Sequence, residues 1–272
     1  MLGISTINIE LTSRCNKKCH MCGRRKLEKE NLDYESTMGD MEWNTFAKIV
    51  EQIEAGMVVQ LHWNGEPTLS NFLFAASCTI RGMGAFACMD TNGLLLGKKA
   101  DDLEHFSSIT VSVIQGDSQE NYDRQMAQIR FFMETNRFLG FFPQQKINIR
   151  ALGEIPLSFY QLAGEYGIDI IPRIFHAPEM SRDYQKQVTM PEIGVCLDLL
   201  HHPAIDRHGN LFPCVRFNPE GLNCLGNVNE HSIADLLSGE IRTEMIRKHF
   251  EGRRNEVPLC NTCHYWGLPT AP

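Results

Sequence analysis

The chain has 272 residues, 43% hydrophobic and 22% charged, with a formal net charge of −7. This balance excludes fibrous and disordered classes, and the negative charge offers no attraction to a polyanion, so nucleic acid is a poor fit as substrate. Ten cysteines are too few for a disulfide scaffold, no apolar run reaches the ~18 residues of a membrane span, and the N-terminus lacks a signal pattern, so the expectation is a cytoplasmic protein, with no membrane partner, whose reduced thiolates bind metal.

In chain order, the alternating segment Thr6 to Leu11 predicts a first strand. It runs directly into Cys15-Asn-Lys-Lys-Cys19-His-Met-Cys22. A helix is predicted over 42–55, a strand over 58–62, a helix over 72–81, and a strand over 85–90 followed by the turn pair Asn92-Gly93. A helix around 98–106 and a strand over 108–113 come next. A long helix follows over 119–136, where Tyr122, Met126, Ile129, Phe132 and Met133 recur near helical spacing. The series closes with strand 146–152, helix 157–166 and strand 168–174.

Six strands alternating with five helices predict an α/β fold with a parallel sheet, arranged as an open, partial (βα)6 barrel with its chemistry at the C-terminal strand ends. Beyond Phe175 the alternation stops, and one good helix pattern remains, Ser232 to Phe250. The expected division lies near Ala177, giving units 1–177 and 178–272.

The three thiolates of Cys15, Cys19 and Cys22 can ligate three corners of an iron–sulfur cubane and leave one iron open, whereas a closed set needs four. An open iron can chelate a small molecule carrying an amine and a carboxylate. A zinc site is the bland alternative. Later in the chain, Cys196, Cys214, Cys260 and Cys263 are four thiolates, enough to saturate either a zinc ion or a second cubane.

The cysteine motif after a first strand resembles the radical S-adenosylmethionine (SAM) superfamily, whose hallmark is CxxxCxxC at the start of a partial barrel. The later group, with Gly209-Asn-Leu-Phe-Pro-Cys214 and Cys260-Asn-Thr-Cys263, resembles the twitch domain, the shorter relative of the SPASM domain. Among twitch enzymes the chain is most similar to the 2-deoxy-scyllo-inosamine dehydrogenase type. The resemblance implies two 4Fe-4S clusters and SAM as cofactors, with an external electron donor such as flavodoxin or ferredoxin. It further implies that Trp63-Asn64-Gly65-Glu66-Pro67 corresponds to a GGE segment lining the pocket for the SAM amino group. Asn64 departs from the pattern. Gly65 and Glu66 are carried over, so a branched side chain at 65 is expected to weaken SAM binding with iron intact. Thr91, Asn92 and Ser112 match further SAM-contacting positions, and Met21 lies near the expected adenine site.

Cys78, Cys88 and Cys224 read as small buried apolar residues, with Cys224 the candidate hydrogen-atom donor if one is needed. Arg150, Glu154 and Arg173 lie on or beyond late strands. Arg150 is the catalytic candidate, placed to meet a SAM carboxylate or to assist loss of a hydroxyl proton; rim salt bridges are the alternative. His201 and His202 are assigned no role.

The resemblance implies SAM cleavage to a 5′-deoxyadenosyl radical, hydrogen-atom abstraction from a small-molecule or peptide substrate, and two-electron oxidation with the auxiliary cluster as acceptor. Redox-neutral epimerisation and peptide modification are alternative enzymatic readings. Only fourteen residues precede Cys15, which speaks against a peptide-recognition unit there. An iron–sulfur electron carrier and a zinc-stabilised interaction module are the alternatives from other classes.

Overall fold

The computed structural model describes residues 2–139, 145–173, 194–216, 218, 220–261 and 263. The predicted strands are present as β1 (Thr6–Ile9), β2 (Val58–Gln60), β3 (Phe86–Thr91), β4 (Ser108–Ile114), β5 (Lys146–Leu152) and β6 (Asp169–Arg173). Each pairs in parallel with its sequence neighbour. The helices on the same stretch are α1 (Arg24–Glu30), α2 (Trp43–Val50), α3 (Leu73–Gly82), α4 (Gln119–Leu139) and α5 (Leu157–Tyr166).

Strand alternation decides what each face of this sheet does. Ile7, Ile9, Val59, Ala87, Met89, Ile109, Val111, Ile147 and Ile149 share one parity and join helix residues such as Phe46, Ile49, Leu73, Ile129, Phe132 and Phe159 in a single buried core. The other parity carries Asn8, Gln60, Cys88, Asp90, Ser108, Thr110, Ser112, Asn148 and Arg150. A parallel sheet covered by helices on both faces reads as continuous apolar runs. Here one face is polar, which leaves it for a ligand.

The sheet extends further than the sequence pattern predicts. After α6 (Leu197–His201), strand β7 (Ala204–Ile205) pairs in parallel with β1, and β8 (Asn210–Phe212) and β9 (Gly226–Asn227) add antiparallel. The order is β6-β5-β4-β3-β2-β1-β7-β8-β9, so the C-terminal strands continue the edge opened by β1. The expected division at Ala177, and the end of the predicted sixth strand at Ile174, lie outside the described residues.

Two predicted helices differ in form. The segment Gly97–Leu103 is a 3-10 turn kinked at Lys99, and the Gln128 side chain from α4 caps its start, accepting from the N–H groups of Gly97 (3.1 Å) and Lys98 (3.2 Å). The predicted helix 232–250 is two, α7 (Ile233–Ser238) and α8 (Glu240–Phe250), broken at Gly239 where the backbone is extended. Ser232 caps α7 by accepting from the Asp235 N–H at 3.1 Å. Among the described residues no helix is long and apolar enough to cross a membrane.

Candidate functional site

Parallel pairing sends the loops after β1, β2, β3 and β4 to one edge of the sheet. There they interlock around the first cysteine loop. The Glu66 N–H donates to the Arg14 carbonyl at 2.8 Å, and Asn92 Nδ2 donates to Asn16 Oδ1 at 2.8 Å. From the loop after β4, Asp117 forms an ion pair with Lys17 at 2.5 Å, and both side chains are nearly excluded from solvent.

Gly65 is required by this packing. A Cβ at residue 65 would overlap the Thr12 carbonyl oxygen and stand 2.8 Å from its carbon and 2.9 Å from the Arg14 oxygen. The glycine therefore faces the backbone that leads into Cys15. Glu66 is 2% exposed. Its Oε1 accepts from Thr68 N (3.1 Å), Thr68 Oγ1 (2.7 Å) and Thr91 Oγ1 (2.7 Å), and its Oε2 from the Asn92 N–H (2.7 Å). Burial pushes its carboxyl up, while these donors oppose the shift. Glu66 and Thr91 thus tie the loop after β2 to the loop after β3. Ser112 lies opposite Arg150 on the polar face, and its carbonyl accepts from buried Gln125, which also holds the Asn92 carbonyl. Met21 is half-buried within the cysteine loop.

Cys15, Cys19 and Cys22 are all partly buried and act electrostatically on one another. Burial pushes the Cys15 thiol up and the Cys19 thiol up to about 12, so these groups hold protons until a metal displaces them. Among the described residues no three Cys, His, Asp or Glu side chains form a ready site for a single metal ion. The fit to a larger anionic group rests on Arg24, which follows Cys22 directly. It is 4% exposed, its Nε and Nη1 have no hydrogen-bond partner among the described residues, and its charge acts on Cys15. A buried guanidinium needs an anion, and a thiolate-ligated cluster supplies one.

The polar face beneath this loop holds a connected set of side chains. Arg150 pairs with Asp90, half-exposed against nearly buried. His62 Nδ1 accepts from the Asp90 N–H at 2.9 Å, which leaves the ring proton on Nε2, 3.4 Å from Asp90 Oδ2. Burial lowers the His62 pKa, with the Asp90 carboxylate opposing, so the ring is neutral at neutral pH. Asn8 donates to the His62 carbonyl (2.8 Å) and bonds His202 Nε2 (2.7 Å), and His202 lies 3.7 Å from Asp198, which pairs with Arg216. A line of polar contacts therefore runs from Arg150 to the second cysteine group. Glu154 and Arg173 are exposed.

Cys196, Cys214, Cys260 and Cys263 line one cavity, together with Asp198, Leu199, Arg216, Met245, His249 and Arg254. They also act on one another electrostatically: burial first, then Cys214, Cys263 and Cys196, pushes the Cys260 thiol well up. Arg254 donates to the carbonyls of Cys260 (2.5 Å) and Cys263 (3.2 Å), and the nearly buried Arg216 adds positive charge. Four thiolates with two guanidiniums alongside suit an anionic cubane. Trp63 joins the two regions, its Nε1 donating to the Val215 carbonyl at 2.8 Å and its ring 5.3 Å from Phe212.

The remaining cysteines depart from the reading as uniformly buried residues. Cys78 is exposed on α3, and Cys88 and Cys224 are half-buried. Cys224 donates to the Gly226 carbonyl at 3.7 Å on the β9 side of the sheet. Sequence reasoning missed Lys17, Arg24, His62, Asp90, Gln125, His202, Arg216 and His249, and also Glu10, whose carboxyl burial raises to about 7 while it accepts from the Asn64 N–H at 3.1 Å. The one signal that could have found several is parity on the predicted strands: Asn8, Glu10, His62, Asp90 and Arg150 all fall on the polar beat.

Residues 196–264 match the SPASM iron–sulfur cluster-binding domain. Over almost the whole chain, the fold superposes on BtrN in complex with AdoMet and 2-DOIA, at 18% identity and TM-score 0.65, covering 96% of this chain and 93% of that one. It also superposes on Streptococcus suis SuiB bound to precursor peptide SuiA, at 15% identity and TM-score 0.67, covering 98% and 72%. BtrN and SuiB are radical SAM enzymes, and BtrN is a 2-deoxy-scyllo-inosamine dehydrogenase. This is the radical SAM fold with a SPASM domain. The tungsten-containing aldehyde ferredoxin oxidoreductase cofactor-modifying protein of Pyrococcus furiosus is 31% identical over 91 residues, which cover 32% of this chain. The matched stretch spans about a quarter, 24%, of that relative's length.

Proposed function

We propose that the chain is a radical SAM oxidoreductase, in which Cys15, Cys19 and Cys22 hold a 4Fe-4S cluster with SAM at its open iron and Cys196, Cys214, Cys260 and Cys263 hold an auxiliary 4Fe-4S cluster. The observation that carries this is the convergence of the loops after β2, β3 and β4 on the first cysteine loop above a polar sheet face. When bound, these groups supply hydrogen-atom abstraction from carbon and a one-electron acceptor. The chain's own residues supply placement. Gly65 and Glu66 fix the loop after β2 against the cysteine loop, and Asn92, held through its N–H by Glu66, presents its side chain beside Cys15. Thr91 and Ser112 complete this wall, and Met21 offers an apolar contact.

On the polar face, Arg150 and Asp90 bind and orient a hydroxyl or amine of the substrate, and the Asp90 carboxylate takes the hydroxyl proton while neutral His62 steadies it. Loss of a hydrogen atom, a proton and an electron gives two-electron oxidation of a small polar substrate. Four thiolates committed to the later cluster leave it no open iron for substrate and suit it to accepting an electron, which supports oxidation over thiol-quenched epimerisation. A peptide substrate is the second reading, favoured by the similarity to SuiB, whose structure holds a precursor peptide. We place the division between the barrel, 1–177, and the twitch-type unit, 178–272, near Ala177.

The test is anaerobic reconstitution followed by iron analysis, expected to give roughly eight irons per chain. Replacing Cys15, Cys19 and Cys22 removes half of it and abolishes SAM cleavage; replacing the later four removes the other half. With a polar amino-alcohol as substrate in deuterated water, the oxidised product carries no solvent deuterium at the reacting carbon. Stoichiometric zinc in the second set, or deuterium at that carbon, refutes the corresponding part.

A further inference from the structure

We propose that His249 donates its Nε2–H to a sulfur of the auxiliary cluster and so raises that cluster's reduction potential. The proposal rests on the reading above that Cys196, Cys214, Cys260 and Cys263 hold a four-iron cluster. His249 lies near the end of α8 and is 1% exposed. Its Nδ1 accepts from the Cys196 N–H at 3.4 Å, which assigns the ring proton to Nε2. Among the described residues that nitrogen is buried with no hydrogen-bond partner, while the ring lines the cavity into which the four cysteines converge.

The other polar groups of the cavity are engaged. Arg216 pairs with Asp198, and Arg254 donates to the carbonyls of Cys260 and Cys263. Leu199, Met245 and Leu259 make the remaining wall apolar. A buried N–H left without an acceptor is rare in native folds, and cluster or cysteine sulfur is the acceptor that this cavity would bring within reach. Hydrogen bonds to cluster sulfur favour the reduced, more negative state, because the extra electron increases charge on the acceptor. His249 is thus a tuning residue for the electron acceptor and touches no substrate.

The test uses the full chain with both clusters, followed by potentiometric titration read by electron paramagnetic resonance. The first cluster is recognised by its response to added SAM. His249→Leu is expected to keep the iron and to move the auxiliary potential negative, by on the order of tenfold in the reduction equilibrium, about 59 mV for one electron. His249→Gln keeps an N–H donor and is expected to return most of the shift. An unchanged potential in His249→Leu at full iron content overturns the proposal. So does loss of the auxiliary iron in both variants, which would make His249 a ligand or a structural prop. Absence of iron from the later cysteines in the parent protein would instead overturn the reading on which the proposal rests.

Discussion

At the scale of single residues, the motif after β2 acts through the cysteine loop as much as through any ligand. Gly65 allows the backbone at Thr12 and Arg14 to approach, and Glu66 accepts four hydrogen bonds from its own neighbours. A side chain at 65 must displace the segment entering Cys15, so the sequence expectation that iron survives such a change gives way to a different one. Gly65→Ala is expected to cost about 1–3 kcal/mol by overpacking and to lower both iron retention at the first set and SAM binding, with the later set still loaded. Thermal unfolding with iron analysis of the purified variant checks this; full iron content at both sets would sink it. Gly65 and Glu66 were legible because a recognisable motif follows a strand. Arg24 and His249 were not, because a charge or ring becomes significant only once its burial and its lack of a hydrogen-bond partner among the described residues are seen, and Lys17 was not, because its partner Asp117 comes from the distant loop after β4.

At the scale of elements, the strands were legible because a period of two survives in β1, β3, β4 and β5, each with one apolar parity. Strands β7 to β9 are two or three residues long and carry no period to read. The loops that complete the site depend on pairings between elements, and the buried Lys17–Asp117 pair is the firmest of these. Burial opposes ionisation of Asp117, but hydrogen bonds from Lys17 and Asn121 outweigh it and hold the carboxyl below the usual carboxylate range. With a folded pKa below the unfolded one, the pair contributes in full above about pH 4 and its contribution falls away as pH drops through the folded value. Asp117→Ala leaves an ammonium buried without its counter-charge and is expected to cost about 3 kcal/mol at neutral pH. The double variant Lys17→Met, Asp117→Leu is expected to regain most of that loss. Chemical denaturation of Lys17→Met alone, Asp117→Leu alone and the double variant measures the coupling; additive losses would show that the pair holds nothing together.

For the whole molecule, the sheet makes the two cysteine regions parts of one framework. Strand β7 pairs with β1, whose next loop carries Cys15, and β7 leads through β8 to Cys214. Above this backbone link, Trp63 spans the same gap, bonded to the Val215 carbonyl on one side and adjoining Asn64 on the other. Such a double connection holds the two cysteine regions at a fixed separation, and it explains why a motif residue before Asn64 is a large aromatic with a polar tip. Trp63→Ala is expected to cost about 3 kcal/mol through the lost ring contact with Phe212 and the unpaired carbonyl at Val215. Hydrogen exchange should then quicken in two segments distant in sequence, 63–66 and 211–216, while the β3–β4 pairing keeps its protection. Trp63→Phe keeps the ring but not the indole N–H, so it should show the smaller part of both effects. Faster exchange in only one of the two segments would mean that Trp63 is a local prop, and that the backbone pairing of β1 with β7 alone holds the two sites in register.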